Sequence, residues 1–117
     1  MDIQFKNTKL EKLCNSFSSL VKKYGNKQAE TISRRLQQLS AAENLHDAGK
    51  LPRLHCHELK GDRKNQLAVD LEHPFRLIFV VNQDPIPRKP DSGLDWKQVQ
   101  SIKIIRIEDY HGKQKRK

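Results

Sequence analysis

The sequence predicts an α+β domain: an N-terminal strand and a helical hairpin packed on a small twisted antiparallel β-sheet. Three observations carry this. Apolar residues between Leu10 and Leu39 recur at three- and four-residue steps, the period of an amphipathic helix. After Pro52 the period falls to two, that of a half-buried strand. Helical and extended segments come in separate runs rather than alternating, which favours an antiparallel sheet over a parallel one.

Taken in order, Met1 to Lys6 alternate, with Ile3 and Phe5 on one face of a short first strand. Leu10, Leu13, Cys14, Phe17, Leu20 and Val21 form one helical stripe, and Gly25 supplies its stop. A second helix starts near Asn26, buries Ala29, Ile32, Arg35-Leu36 and Leu39, and ends around Ala42 to Asn44. Leu45 to Pro52 is a connector, punctuated by Asp47, Gly49 and Pro52. Leu54 to Leu59 opens the strand region, and Lys60 to Asn65 make a polar turn. Gln66 to Leu71 and Phe75 to Val81 are two further strands. Pro85, Pro87 and Pro90 forbid a central strand across residues 82–100. That insertion is an excursion between neighbouring strands, with a short helical turn over Asp95 to Val99. Ile102 to Ile107 form the last strand, and residues 112–117 a frayed basic tail on a single domain of residues 1–111.

The 117 residues carry a formal net charge of +9 and a pI near 9.8, which favours a polyanionic partner, nucleic acid ahead of a membrane surface. Lys113 to Lys117 hold four of those positive charges, leaving about +5 on the body. Two cysteines, Cys14 and Cys56, make no disulfide framework. No apolar run approaches the length that spans a bilayer, so the expected location is the cytoplasm.

Several residues have a bland and a chemical reading. Arg76 shares a strand face with Ile78 and Val80, opposite Phe75, Leu77 and Phe79. It is either a surface arginine paired with a carboxylate or a cation fixed on a rigid sheet. Lys60 and Arg63 are either a solvated hairpin tip or a phosphate clamp, with Asp62 forming the turn. His55 and His57 share a strand face around Cys56, but two histidines with no second cluster make a weak metal site. Cys56 reads as a small buried residue rather than a nucleophile. Asp109-Tyr110-His111 follow the last strand directly, where side chains are both exposed and rigidly placed. The histidine can move protons near neutrality, and the tyrosine either caps the core or stacks on a base.

His57-Glu58-Leu59-Lys60-Gly61-Asp62-Arg63, the strand arginine in Phe75-Arg76-Leu77-Ile78-Phe79, and Glu108-Asp109-Tyr110-His111 together resemble the RelE/ParE toxin superfamily. The nearest branch is the HigB-like host-killer toxins of type II toxin–antitoxin modules. The resemblance spans nearly the whole domain, helical hairpin included. It implies a ribosome-dependent mRNA endoribonuclease that inhibits translation, needing no metal or organic cofactor. The implied partners are the ribosome, its mRNA and a cognate helix-turn-helix antitoxin of the HigA-like kind, with operator DNA reached only through that antitoxin and no membrane involved. Carried over by position, His57, Lys60, Arg76, Asp109, Tyr110 and His111 are the expected catalytic set, and Lys60, Arg63, Lys64 and Arg76 the expected RNA contacts. Glu72-His73-Pro74 departs from the pattern at a bend where such toxins carry a basic or amide residue. A carboxylate there would repel RNA. Two other classes share the features: a ParE-like gyrase-directed toxin that binds protein, and a catalytically weakened member acting as an antitoxin or nucleic-acid-binding partner.

Overall fold

The computed structural model describes residues 1–63 and 65–109. Lys64, Tyr110, His111 and the tail of residues 112–117 lie outside the described residues. Strand β1 (Asp2–Phe5) leads into helices α1 (Thr8–Cys14), α2 (Phe17–Tyr24), α3 (Asn26–Ala41) and α4 (Leu45–Gly49). Strands β2 (His57–Glu58), β3 (Gln66–Asp70), β4 (Phe75–Val81) and β5 (Ser101–Asp109) complete an α+β fold. Short 3₁₀ turns occupy Gly61–Arg63 and Trp96–Gln98, the second where the helical turn is predicted.

The five strands form one sheet in the order β1-β5-β4-β3-β2. It is mixed, which corrects the expected antiparallel sheet: β1 pairs parallel to β5, and the other neighbours run antiparallel. β1 lies at the edge beside β5, and the short alternation of Ile3 and Phe5 in this edge strand does not set its direction. Leu67, Val69, Leu77, Phe79, Ile102 and Ile104 point to the helices and bury against Leu20, Ala29, Ile32 and Leu39. Ile3 and Phe5 pack on the edge of that core.

Local chemistry moves several boundaries. The first predicted helix is two. Ser16 takes extended backbone and its Oγ accepts from the Ser19 N–H at 3.2 Å, so a cap begins where the apolar stripe would run on. Phe17 thereby leaves the stripe and stands 48% exposed. Gly25 ends α2 at φ +89°, a conformation a side chain rarely tolerates. The connector from Leu45 is also a correction. Asn44 Oδ1 accepts from the Asp47 N–H at 2.9 Å, capping α4, which buries Leu45 and Ala48.

The predicted strand from Leu54 shrinks to His57–Glu58, because Arg53 (φ 69°) and His55 (φ 49°) both turn left-handed. The buried Arg35 pins this kink. Its Nη2 donates to the Arg53 carbonyl at 3.2 Å and its Nε to the Asp70 carbonyl at 2.7 Å. Residues 82–100 fold back on the domain, with Leu94 and Val99 buried in the core. Trp96 Nε1 donates to Glu58 at 2.9 Å. Among the described residues no helix is long and apolar enough to cross a membrane.

Candidate functional site

The strand register sets which side chains meet on the sheet face turned away from the helices. Asp70 pairs with Arg76, and Arg76 with Glu108. One step along, His57 pairs with Ala68, Ala68 with Ile78, and Ile78 with Arg106. Directly paired residues share a face, so His57, Asp70, Arg76, Arg106 and Glu108 rise from the same side. This placement of Arg76 matches the sequence reading.

A β-bulge shapes this face. Ile78 pairs with Arg106 but Phe79 pairs with Ile104, leaving Ile105 as the extra residue. Strict alternation from the buried Ile102 and Ile104 would drive Arg106 and Glu108 into the core. The bulge resets the count and brings both to the polar face. It also moves Asp109, which pairs with Phe75 and so lies on the face of Leu77 and Ile107. Asp109 is exposed there, on the face opposite Arg76.

Glu108 is the hub of a compact charge cluster. Arg63 Nη2 donates to its Oε1 at 2.6 Å and Arg106 Nε to the same oxygen at 3.2 Å. Arg76 donates to Oε2 through Nη2 at 2.9 Å and Nε at 3.1 Å. Gln66 Oε1 ties the far side, accepting from Arg106 Nη2 at 2.8 Å and Arg63 Nε at 3.3 Å. Burial by itself raises the Glu108 carboxyl, but the hydrogen bonds from Arg63, Arg76 and Arg106 outweigh it and hold the group at about 2. Three guanidinium groups against one carboxylate leave the cluster with a surplus of positive charge. Arg63 is thus no solvated tip, since the 3₁₀ turn folds it onto the sheet.

Beside the cluster lies a cleft of about 310 Å³ lined by His55, His57, Asp70, Leu71, His73, Pro74, Phe75 and Arg76. Arg76 belongs to both parts. His57 Nδ1 donates to the His55 carbonyl oxygen at 2.9 Å, and His55 Nδ1 lies 3.2 Å from Asp70 Oδ2. The two imidazoles stack, with centroids 4.4 Å apart and planes 24° from parallel. They come together through the left-handed turn at His55 rather than along a strand. Glu72, the expected repulsive carboxylate, is held on the α3 side, where it accepts from Thr31 Oγ1 at 2.6 Å. The Gln28 side chain clamps its backbone through both amide atoms.

Of the expected site residues, the fold brings together His57, Arg63 and Arg76. Lys60 is exposed and is not part of the cleft wall. Tyr110, His111 and Lys64 lie outside the described residues. Sequence reasoning missed His55, Asp70, Arg106 and Glu108 as members of the site. The Arg106-Ile107-Glu108 alternation was the available signal for the last two. Among the described residues no group of three or more His, Cys, Asp and Glu side chains is arranged to hold a metal. Burial pushes the Cys56 thiol up to about 12, with Glu58 adding to it, which fits the inert role expected of it. Neither a protein-family model nor a curated protein matches the chain.

Proposed function

We propose that this protein is an endoribonuclease that cuts mRNA by attack of the RNA 2′-OH on the adjacent phosphate, acting as the toxin of a toxin–antitoxin pair. One geometry supports the reading most: Arg76 joins a cleft walled by His57 to an arginine cluster with surplus positive charge. Cleavage by this route needs a base for the 2′-OH, an acid for the 5′-oxygen, and cations where charge grows on the phosphorane. Arg76 supplies the cation, backed by Arg63 and Arg106, and His57 moves a proton. DNA lacks the nucleophile, so the substrate is RNA. The shallow, basic and partly exposed site suits a flexible single strand presented by a larger body, which agrees with a ribosome-bound message. The toxin resemblance of the sequence adds Tyr110, His111 and Lys60 to the site, and a helix-turn-helix antitoxin as the cytoplasmic partner.

A weaker reading is a member that binds RNA but cuts poorly. It draws on one observation: Glu108 already engages the Arg76 fork through two hydrogen bonds, so a phosphate must share that guanidinium. Induced expression in a bacterium, followed by mapping of mRNA 5′ ends, separates the readings. New ends at ribosome-occupied codons, absent with Arg76→Ala, are expected of the nuclease. Growth arrest with a DNA-damage response and no new ends would point to a gyrase-directed toxin. No arrest and no new ends would leave binding alone.

A further inference from the structure

We infer that His55, oriented by Asp70, is a second proton-transfer residue of the cleft and serves as general acid beside His57 as general base. The inference rests on the ribonucleolytic reading above and supplies the group that protonates the leaving oxygen.

The hydrogen bonds fix the roles. A carbonyl oxygen only accepts, so the 2.9 Å contact from His57 Nδ1 to the His55 carbonyl places a proton on Nδ1. The lone pair of the neutral His57 ring is then on Nε2, as a base requires. His55 differs. Its Nδ1 faces a carboxylate oxygen of Asp70 at 3.2 Å, which accepts the Nδ1 proton and gives an imidazolium its counter-charge, leaving Nε2–H as the donor. Asp70 stands on β3 directly across from Arg76, so the dyad is built on the strand pair that carries the cation. Ring stacking at 4.4 Å keeps the two imidazoles side by side at one wall.

The backbone supplies independent support. His55 sits at φ 49°, in the left-handed region that a non-glycine residue rarely adopts. Chain reversal alone would be met more cheaply by glycine or asparagine. The neighbours hold the kink: the Asp70 N–H donates to the Leu54 carbonyl at 2.9 Å, beside the Arg35 bond to Arg53. His55 remains largely exposed, with 65% of its side chain accessible, so core packing does not require an imidazole there.

In the reaction, His57 Nε2 takes the 2′-OH proton as the 2′-oxygen bonds to phosphorus. The bond from phosphorus to the 5′-oxygen breaks, and His55 gives its Nε2 proton to that oxygen. The products are a 2′,3′-cyclic phosphate and a 5′-hydroxyl. Water then returns a proton to His55 and removes one from His57, so the cycle balances.

The test compares the purified wild type, His55→Gln, His57→Gln and Asp70→Asn on ribosome-bound mRNA of mapped cut site. A second mRNA carries a bridging sulfur in place of the 5′-oxygen at that bond, because a thiolate departs without a proton. His55→Gln is expected to slow oxygen-ester cleavage by about 100-fold and to approach wild type on the sulfur ester. His57→Gln is expected to slow both. Asp70→Asn, acting through His55, is expected to lose about tenfold on the oxygen ester and recover on the sulfur ester. A wild type that cuts neither RNA overturns the nuclease reading and this inference together. Wild-type cutting with His55→Gln within threefold overturns this inference alone, as does an equal loss on both esters. Thermal unfolding of each variant identifies any that do not fold, and Asp70→Asn decides the outcome if His55→Gln is one of them.

Discussion

The two halves of the polar sheet face are built on opposite principles, although Arg76 belongs to both. Around Glu108 each partner is held several times over: one carboxylate, 9% exposed, receives hydrogen bonds from three arginines. In the cleft, His57 donates to a carbonyl, His55 meets a half-exposed carboxylate, and the two rings stack on each other. A fully paired cluster is rigid and fixes where its charges stand, while a sparsely paired one leaves ring nitrogens available to a ligand. The cluster therefore acts as the frame and the cleft as the working surface. Substitutions in the first are expected to cost mainly stability, and those in the second mainly activity.

The sharpest way to break that contrast is Glu108→Ala. It leaves three guanidinium groups facing one another without their shared anion, and removing one partner of a buried ion cluster costs about 3–5 kcal/mol. The lower end is expected, because Arg106 is 39% exposed and screened by solvent. Urea unfolding monitored by circular dichroism measures it. A loss under about 1 kcal/mol would place Glu108 among ordinary surface ion pairs.

Acid titration reads the same carboxylate without substitution. The Glu108 carboxyl is lowered in the folded state from 4.5 to about 2, so its contribution is fully present above the unfolded value and lost as pH falls through the folded one. The window lies between about pH 4.5 and pH 2, and the linked stability is roughly 3 kcal/mol at 1.36 kcal/mol per unit. Glu108→Gln, which cannot titrate, is expected to flatten that limb of the stability profile. An unchanged limb would mean that other carboxylates govern acid unfolding.

His57→Gln is the matching change in the cleft. Activity is expected to fall by about 100-fold, the usual contribution of a positioned proton-transfer group. Stability should stay within about 0.5 kcal/mol, as for most surface substitutions. A variant that unfolds easily but still cuts would reverse the assignment of frame and working surface.

How much of this was legible depends on what each segment obeys. β4 and the stop at Gly25 follow local rules, and the structure places both where the sequence predicts. The helical turn at Trp96–Gln98 is equally local. The α1–α2 break was written in Asn15-Ser16, but the apolar stripe across it was the louder signal. The parallel pairing of β1 with β5 has no local signature at all. At the site, Arg76 was legible because β4 alternates cleanly up to the bulge. For Arg106 and Glu108 the local alternation with Ile107 competes with the run from Ile102 and Ile104, because one extra residue at Ile105 exchanges the two faces of β5. His55 was read with His57 on a strand face, and its place beside Asp70 was not legible because its left-handed turn is held by Arg35 through Arg53, a side chain 20 positions away in the sequence.

Arg106→Ala is the smallest and most discriminating change, because Arg106 is the most exposed of the three arginines on Glu108. Its loss leaves Arg63 and Arg76 to balance the carboxylate, so the expected destabilisation is about 1 kcal/mol. If Arg106 also contributes surplus charge toward RNA, binding to a short single strand should weaken alike for all sequences. The slope of log affinity against log salt should then become shallower by about 0.7, the share of one phosphate contact on a single strand. Fluorescence anisotropy at several salt concentrations measures both quantities. An unchanged slope with the same loss of stability would confine Arg106 to the frame and leave Arg76 as the cation that meets the phosphate.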